Sequence, residues 1–113
     1  MRVLWRSGPT DLPDGVGIGR SGRFSVSLAG LTNQLAVLAP DGTELRRFPS
    51  TPVTGENGSP IPFDTPSSAT FLGRRVLVAN QSFTGDTTHH AILDVYVGES
   101  GAPTFVPRSA GVG

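Results

Sequence analysis

The sequence of 113 residues contains no cysteine and no lysine. Without cysteine the chain forms no disulfide and has no thiolate for catalysis or metal binding, and the redox compartment stays open. All nine cationic side chains are arginines, and nine Asp and Glu residues bring the formal net charge to zero. The arginines are scattered, with doublets only at Arg46-Arg47 and Arg74-Arg75. The sequence therefore lacks the basic cluster that a nucleic-acid partner requires.

Long apolar runs are also missing. The longest, from Leu35 to Ala39, is far shorter than the roughly 20 residues that cross a bilayer. Near the N-terminus, Arg2, Arg6 and then Gly8-Pro9 interrupt the chain before a secretory apolar core forms. The sequence therefore predicts no membrane partner, and it leaves the localisation undetermined.

Short runs of β-branched, aromatic and leucine residues recur along the chain, whereas helical periodicity is scarce. Turn signals such as Ser21-Gly22, Asp41-Gly42 and Gly73 lie between successive runs. This spacing predicts an all-β fold. The predicted strands cover residues 16–18, 24–28, 35–38, 45–48, 69–71, 76–78, 92–97 and 104–106.

One glycine-rich stretch, "GIGRSG" from Gly17 to Gly22, has the spacing of a dinucleotide-binding loop. That motif works only where a helix follows, because the amides of the first helical turn hold the phosphate. The next residues, Arg23 to Ser27, alternate as a strand does. We therefore interpret the stretch as a hairpin turn between two strands.

The sequence also contains an internal repeat. Leu12 to Ser27 aligns with Thr65 to Ala79, so that Pro13 meets Pro66 at an offset of 53 residues. Each copy is followed by a further strand, a turn and a last strand, and in the second unit we expect that turn at Ser100-Gly101. Repeats of roughly 40 to 50 residues with four strands each are typical of β-propeller blades.

This repeat predicts about two four-stranded antiparallel blades of a partial β-propeller. Propellers close with about four to eight blades, so we expect a C-terminal fragment of a ring. The predicted parts are residues 1–8, the last strand of a preceding blade at Val3-Leu4-Trp5; residues 9–49, a blade with a Pro-Asp-Gly start; residues 50–62, a linker; residues 63–107, a final blade; and residues 108–113, a tail.

From Leu12 onward the chain resembles the senescence marker protein / gluconolactonase / luciferin-regenerating enzyme family. The resemblance is carried by "PDGVGI" at Pro13 to Ile18 with "GRFSVS" after it, and by the later stretches "LAVLAPDGTELRRFP", "FDTPSSATFLGRRVLVANQS" and "ILDVYVGESGAP". It implies a six-bladed propeller with a divalent metal, calcium or zinc, in its channel, and hydrolysis of lactones or sugar-derived esters. It also implies that Asp14 is a metal ligand.

The sequence departs from the family at several points. The family's other ligands, a Glu and an Asn from other blades, have no counterpart here, and Gly19 and Ser25 stand where the family usually has an acidic and an aromatic residue. We therefore expect the chain alone to be inactive and to bind no cofactor, and we assign no catalytic residue. Exposed blade faces predict self-association. The alternative is a non-catalytic, NHL-like propeller module that binds a partner.

Few other residues indicate chemistry. His89-His90 would point to opposite faces of a strand but could share an ion in a loop, and without Cys or further His a solvated pair is favoured. Asn80 ends a predicted strand and could face the channel. The run Gly98 to Gly101 lacks the spacing of a nucleophile elbow. Asn57-Gly58-Ser59 and Asn80-Gln81-Ser82 match the glycosylation pattern.

Overall fold

A computed structural model of the chain describes residues 1–82 and 87–103. These residues form an all-β structure with two antiparallel sheets and one short 3-10 helix, Thr87–His89. The strands are β1 Pro13–Ile18, β2 Phe24–Leu28, β3 Gln34–Leu38, β4 Glu44–Phe48, β5 Thr70–Leu72, β6 Arg75–Ala79 and β7 Ile92–Tyr96. The predicted strand at 104–106 and the predicted tail at 108–113 lie outside the described residues. No helix in the described part of the chain is long and apolar enough to cross a membrane.

The first sheet is a four-stranded meander in the order β1-β2-β3-β4. The hairpin predicted from "GIGRSG" is confirmed, because β1 and β2 pair antiparallel across it. Within the turn, the Gly22 amide donates to the Gly19 carbonyl at 2.9 Å, and Gly22 has a φ of 89°. A side chain rarely adopts this φ, so glycine is required here.

The second sheet has the order β5-β6-β7, with antiparallel pairing throughout. A hydrophobic cluster lies between the two sheets and joins β3 to β6 and β7. Its buried members are Leu35, Phe63, Ala69, Val76, Val78 and Leu93. On β6, Val76 and Val78 point inward while Leu77 points outward, because successive side chains of a strand alternate between its faces.

Two glycines of β1 let the sheets approach each other closely along this strand. A Cβ atom on Gly15 would lie 2.5 Å from the Ser68 Cα atom, and one on Gly17 would lie 2.4 Å from the Ala69 carbonyl oxygen. Real Cβ atoms do not tolerate such distances. Gly17, the first glycine of the stretch with nucleotide-loop spacing, therefore serves with Gly15 the contact between β1 and the segment that leads into β5.

The outer face of the first sheet carries a second cluster, formed by Val26, Leu28, Ala36 and Leu38. Trp5 packs against it. Residues 1–12 form no strand in this structure, and the assignment of Val3-Leu4-Trp5 to the last strand of a preceding blade stays a prediction. This segment lies over the sheet and not beside an edge: a Cβ on Gly42, in the β3–β4 turn, would meet the Leu4 carbonyl oxygen.

The chain leaves β7 differently from the prediction. A tight turn was expected at Ser100-Gly101, but Gly101 forms an antiparallel bridge with Gly19 at the end of β1. The Arg20 amide donates to the Ser100 carbonyl at 2.7 Å. Gly101 lies so close to Phe71 that a Cβ atom there would meet that ring. The predicted turn is therefore wrong, because the absence of a side chain at Gly101 serves this close packing.

The outer face of the second sheet is open. Leu72, Ile92 and Tyr96 on this face are each more than 60% exposed. Arg75 and Asp94 form an exposed ion pair of 3.4 Å there, and the Arg75 guanidinium lies 5.8 Å from the centre of the Tyr96 ring. We call this surface the outer face of the second sheet.

Candidate functional site

A group of hydrogen-bonded polar side chains lies at one end of the two sheets. Because neighbouring strands run in opposite directions, the starts of β1 and β3 lie beside the end of β2, and the starts of β5 and β7 beside the end of β6. The Thr65 amide donates to Asn33 Oδ1 at 3.0 Å and joins the two sheets here. We call this region the leading end.

Asp14, the predicted metal ligand, is the second residue of β1 and lies at this end. It is exposed, and the β1–β2 register shifts beside it, between Pro13 and Val16. Among the described residues, its carboxylate has no hydrogen-bond or ion-pair partner. In the same part of the chain, no three His, Asp or Glu residues form a group that could hold a metal ion. Asp14 thus offers one accessible carboxylate, and its role as a metal ligand stays a prediction.

Asp11 lies just before β1 and is buried, with 2% of its surface exposed. Arg47 grips its carboxylate with two nitrogens, Nη1 to Oδ1 at 2.8 Å and Nη2 to Oδ2 at 2.9 Å. The Gly8 amide and the Thr32 hydroxyl also donate to it. These donors, Arg47 first, hold the pKa of Asp11 below its usual value, and the same contact raises the pKa of Arg47.

Asp64 lies just before β5 and receives two donors on the same oxygen. The Ser82 hydroxyl is 3.1 Å and His89 Nδ1 is 2.9 Å from Asp64 Oδ2. The side chains of His89 and Asp64 are 28% and 13% exposed. The serine contacts the aspartate, whereas in a catalytic triad it would contact the histidine, so the three residues do not form a nucleophile relay.

Asn80 holds the same region together from the end of β6. Its amide nitrogen donates to the carbonyls of Pro62 and His89, at 2.8 and 3.1 Å, and its oxygen accepts from the Asp64 amide at 3.1 Å. Asn80 is 8% exposed. The sequence-based idea that it faces a channel is therefore wrong, because its hydrogen bonds tie it to two backbone segments, residues 62–64 and His89.

The two histidines have different environments. His89 ends the 3-10 helix and bonds to Asp64, whereas His90 is exposed. The prediction of a solvated pair therefore describes His90 and is wrong for His89. Sequence reasoning missed the engaged carboxylates of Asp11, which is buried, and Asp64, which is half-buried. The offset of 53 residues would have found them, since it aligns Asp11 with Asp64 as it aligns Pro13 with Pro66.

Two of the cavities between the sheets lie at different ends of their interface. One of about 330 Å³ opens at the leading end and is lined by Leu12, Leu31, Asn33, Asp64 and Thr65 among others. The other, of about 380 Å³, separates β3 and β4 from β7. We call the second the outer cavity. Its wall is apolar at Leu35, Phe48 and Val95, and its polar members include Arg46, Asn57, Ser59 and Asp94.

The predicted chemistry thus rests on Asp14, and the carboxylates of Asp11 and Asp64 at the same end are committed to internal contacts. Comparisons of the chain with protein-family models, with curated protein sequences and with solved structures find no match.

Proposed function

We propose that the two sheets are adjacent blades of a six-bladed β-propeller that hydrolyses lactones or sugar-derived esters with a divalent metal, and that Asp14 is one ligand of that metal. The observation that carries this proposal is the exposed Asp14 carboxylate at the start of β1, without a partner among the described residues. At the same end, the carboxylates of Asp11 and Asp64 are engaged in internal contacts, whereas that of Asp14 is accessible to a cation.

The arrangement of the sheets supports the blade assignment. β1 packs against β5, whereas the outer cavity keeps β4 and β7 apart. Two meanders that touch at their first strands and diverge toward their last strands form a wedge. Successive wedges of this kind fan around an axis, with the first strands lining a channel.

Asp14 suits one ligand position of such a channel. Carboxylate oxygen is a preferred donor for hard cations such as calcium, which take about six to eight oxygen ligands. The described residues supply one, and other blades of the ring would supply the rest of the coordination sphere. A divalent cation bound there would polarise an ester carbonyl and lower the pKa of a water molecule.

The test uses a protein in which this chain completes a six-bladed ring. Calcium or zinc should raise its thermal midpoint and support hydrolysis of an aldonolactone, since a ligand that binds the native state stabilises it. Asp14→Asn should remove most of both effects. Glu56→Gln is the matched control, because Glu56 is also exposed and its carboxylate has no partner in the described residues. Equal metal binding and hydrolysis with Asp14→Ala would refute the ligand role.

A second function, a non-catalytic propeller module that binds a partner, is favoured by one observation. The two other carboxylates of the leading end, Asp11 and Asp64, are bound by Arg47 and His89 and are not available to a cation. Metal binding and lactone hydrolysis by the complete ring distinguish the two functions. A ring that neither binds calcium or zinc nor hydrolyses lactones, with or without Asp14, supports the binding module.

A further inference from the structure

Asn57 lies in the segment that connects the two sheets. The backbone turn there is open around the next residue, Gly58. The Ser59 amide donates to Asn57 Oδ1 at 3.0 Å. The intervening Gly58 is exposed with a φ of 81°, and a Cβ atom built there would have no atom within 4 Å. The amide nitrogen of Gly58 therefore carries no side-chain crowding, and the Asn57 side chain is folded back along the backbone that follows it.

We propose that Asn57 is a site of spontaneous deamidation in the folded chain. The Gly58 amide nitrogen loses its proton and attacks Asn57 Cγ, the new N–C bond closes a succinimide ring, and the side-chain amide leaves as ammonia. Water then opens the ring and leaves aspartate or isoaspartate at position 57. The hydrogen bond from Ser59 withdraws electron density from the Asn57 carbonyl and favours the attack on its carbon.

The other two asparagines of the sequence are protected by their surroundings. Asn33 bonds through both ends of its amide, to the Thr65 amide and to the Val53 carbonyl. Asn80 is buried and makes three hydrogen bonds. A glutamine follows each of them, so a side chain crowds the attacking nitrogen. Of the three, Asn57 alone combines a following glycine with an unobstructed turn.

The product changes the charge of the outer cavity. Asn57 and Arg46 both line this cavity, so deamidation places a carboxylate in the same space as the Arg46 guanidinium. Opposite charges attract in such a partly enclosed site. The formal net charge of the whole chain falls from zero to minus one. The reaction thus adds a second acidic group to this cavity, whose lining already includes Asp94 beside Arg46.

Trypsin gives a direct test, because the chain has no lysine and its arginines divide the three asparagines among separate peptides. Asn33 falls in residues 24–46, Asn57 in 48–74 and Asn80 in 76–108. The folded chain is aged in neutral and mildly alkaline buffer, digested and analysed by mass spectrometry. We expect the mass gain of an amide-to-carboxyl exchange first in 48–74, severalfold faster than in the other two peptides and faster at the higher pH.

Three variants separate the chemistry from the fold. Asn57→Gln should abolish the change in peptide 48–74, and Asn57→Asp should coelute with the aged wild type on an anion exchanger. Gly73→Ala, in a turn as open as that of Gly58, should leave the rate at Asn57 unaltered. Equal rates in the three wild-type peptides, or an unchanged 48–74 peptide after ageing, would overturn the proposal. Neither result depends on metal binding or hydrolysis.

Discussion

Asp11 and Asp64 occupy the same position in the two halves of the molecule. The Gly30 amide donates to the Asp11 carbonyl at 2.8 Å, and the Ser82 amide donates to the Asp64 carbonyl at 3.0 Å. The residue after each aspartate has a left-handed backbone, with φ of 48° at Leu12 and 53° at Thr65. Each aspartate is thus held by a matching backbone contact at the start of its sheet.

The side chains that bind these two aspartates differ in chemistry. Asp11 receives Thr32 and the permanently charged Arg47, whereas Asp64 receives Ser82 and His89. The repeated element is therefore a carboxylate that is at least half-buried and that accepts from a hydroxyl and from a side-chain nitrogen. The repeat preserves this arrangement while changing the nitrogen donor.

The Asp11–Arg47 pair should contribute strongly to stability. Arg47→Met keeps most of the apolar stem but leaves the buried Asp11 carboxylate without its cation, which should lower the free energy of unfolding by about 3 kcal/mol. Arg75→Met is the control, because its pair with Asp94 is half exposed and should be worth about 1 kcal/mol or less. Urea unfolding at one fixed protein concentration measures both. Similar losses in the two variants would contradict the assigned importance of Asp11.

The same pair predicts an acid-sensitive contribution to stability. The hydrogen bonds from Arg47 and the other donors lower the pKa of Asp11 in the folded chain, so the unfolded chain binds more protons. The contribution is complete above the unfolded value of about 3.9 and is lost as the pH falls through the lower folded value. Urea midpoints from neutral pH downward should therefore fall more steeply below about pH 4 in the wild type than in Asp11→Asn. Glu56→Gln, at an exposed carboxyl, should follow the wild type.

Gly17 should not tolerate a side chain. In Gly17→Ala the Cβ atom would lie 2.4 Å from the Ala69 carbonyl oxygen and 3.1 Å from the Phe71 ring, so the sheets must separate. We expect a loss of about 1–3 kcal/mol, as for other overpacked positions. Gly73→Asn is the control, since its turn is open and asparagine accepts a left-handed backbone. Thermal unfolding distinguishes the two, and an unchanged midpoint in Gly17→Ala would mean that β1 is not packed as described.

The strands were largely predictable because their signals are local. β-branched and aromatic runs bounded by glycine turns place β2, β3, β4 and β6 within one residue of the predicted bounds. β1 was predicted three residues too short, because Pro13, Asp14 and Gly15 are poor strand formers that its pairing with β2 brings into the sheet. Here tertiary contacts override local preference.

The contacts of the leading end were not predictable from local patterns. His89 reaches Asp64 across 25 residues and Arg47 reaches Asp11 across 36, and no short motif marks such pairs. The bridge of Gly101 to Gly19 was missed for the same reason, because a glycine beside a strand resembles a turn signal whether it turns or packs closely. The position of Asp14 at the start of β1 followed from its motif, whereas its role as a ligand stays a prediction.

The outer face of the second sheet should cause the isolated chain to associate. Leu72, Ile92 and Tyr96 expose apolar surface around the Arg75–Asp94 pair on an uncovered sheet, which in a ring a neighbouring blade would cover. Size-exclusion chromatography with light scattering should show species larger than 11.8 kDa whose size increases with protein concentration.

The double variant Leu72→Thr with Ile92→Thr places β-branched threonines on the strands but removes apolar area, so it should shift the chain toward the monomer. Val53→Thr, at an equally exposed position outside both sheets, should associate as the wild type does. A monodisperse wild-type monomer that unfolds cooperatively would mean that the two sheets form a complete domain and that this face needs no neighbour.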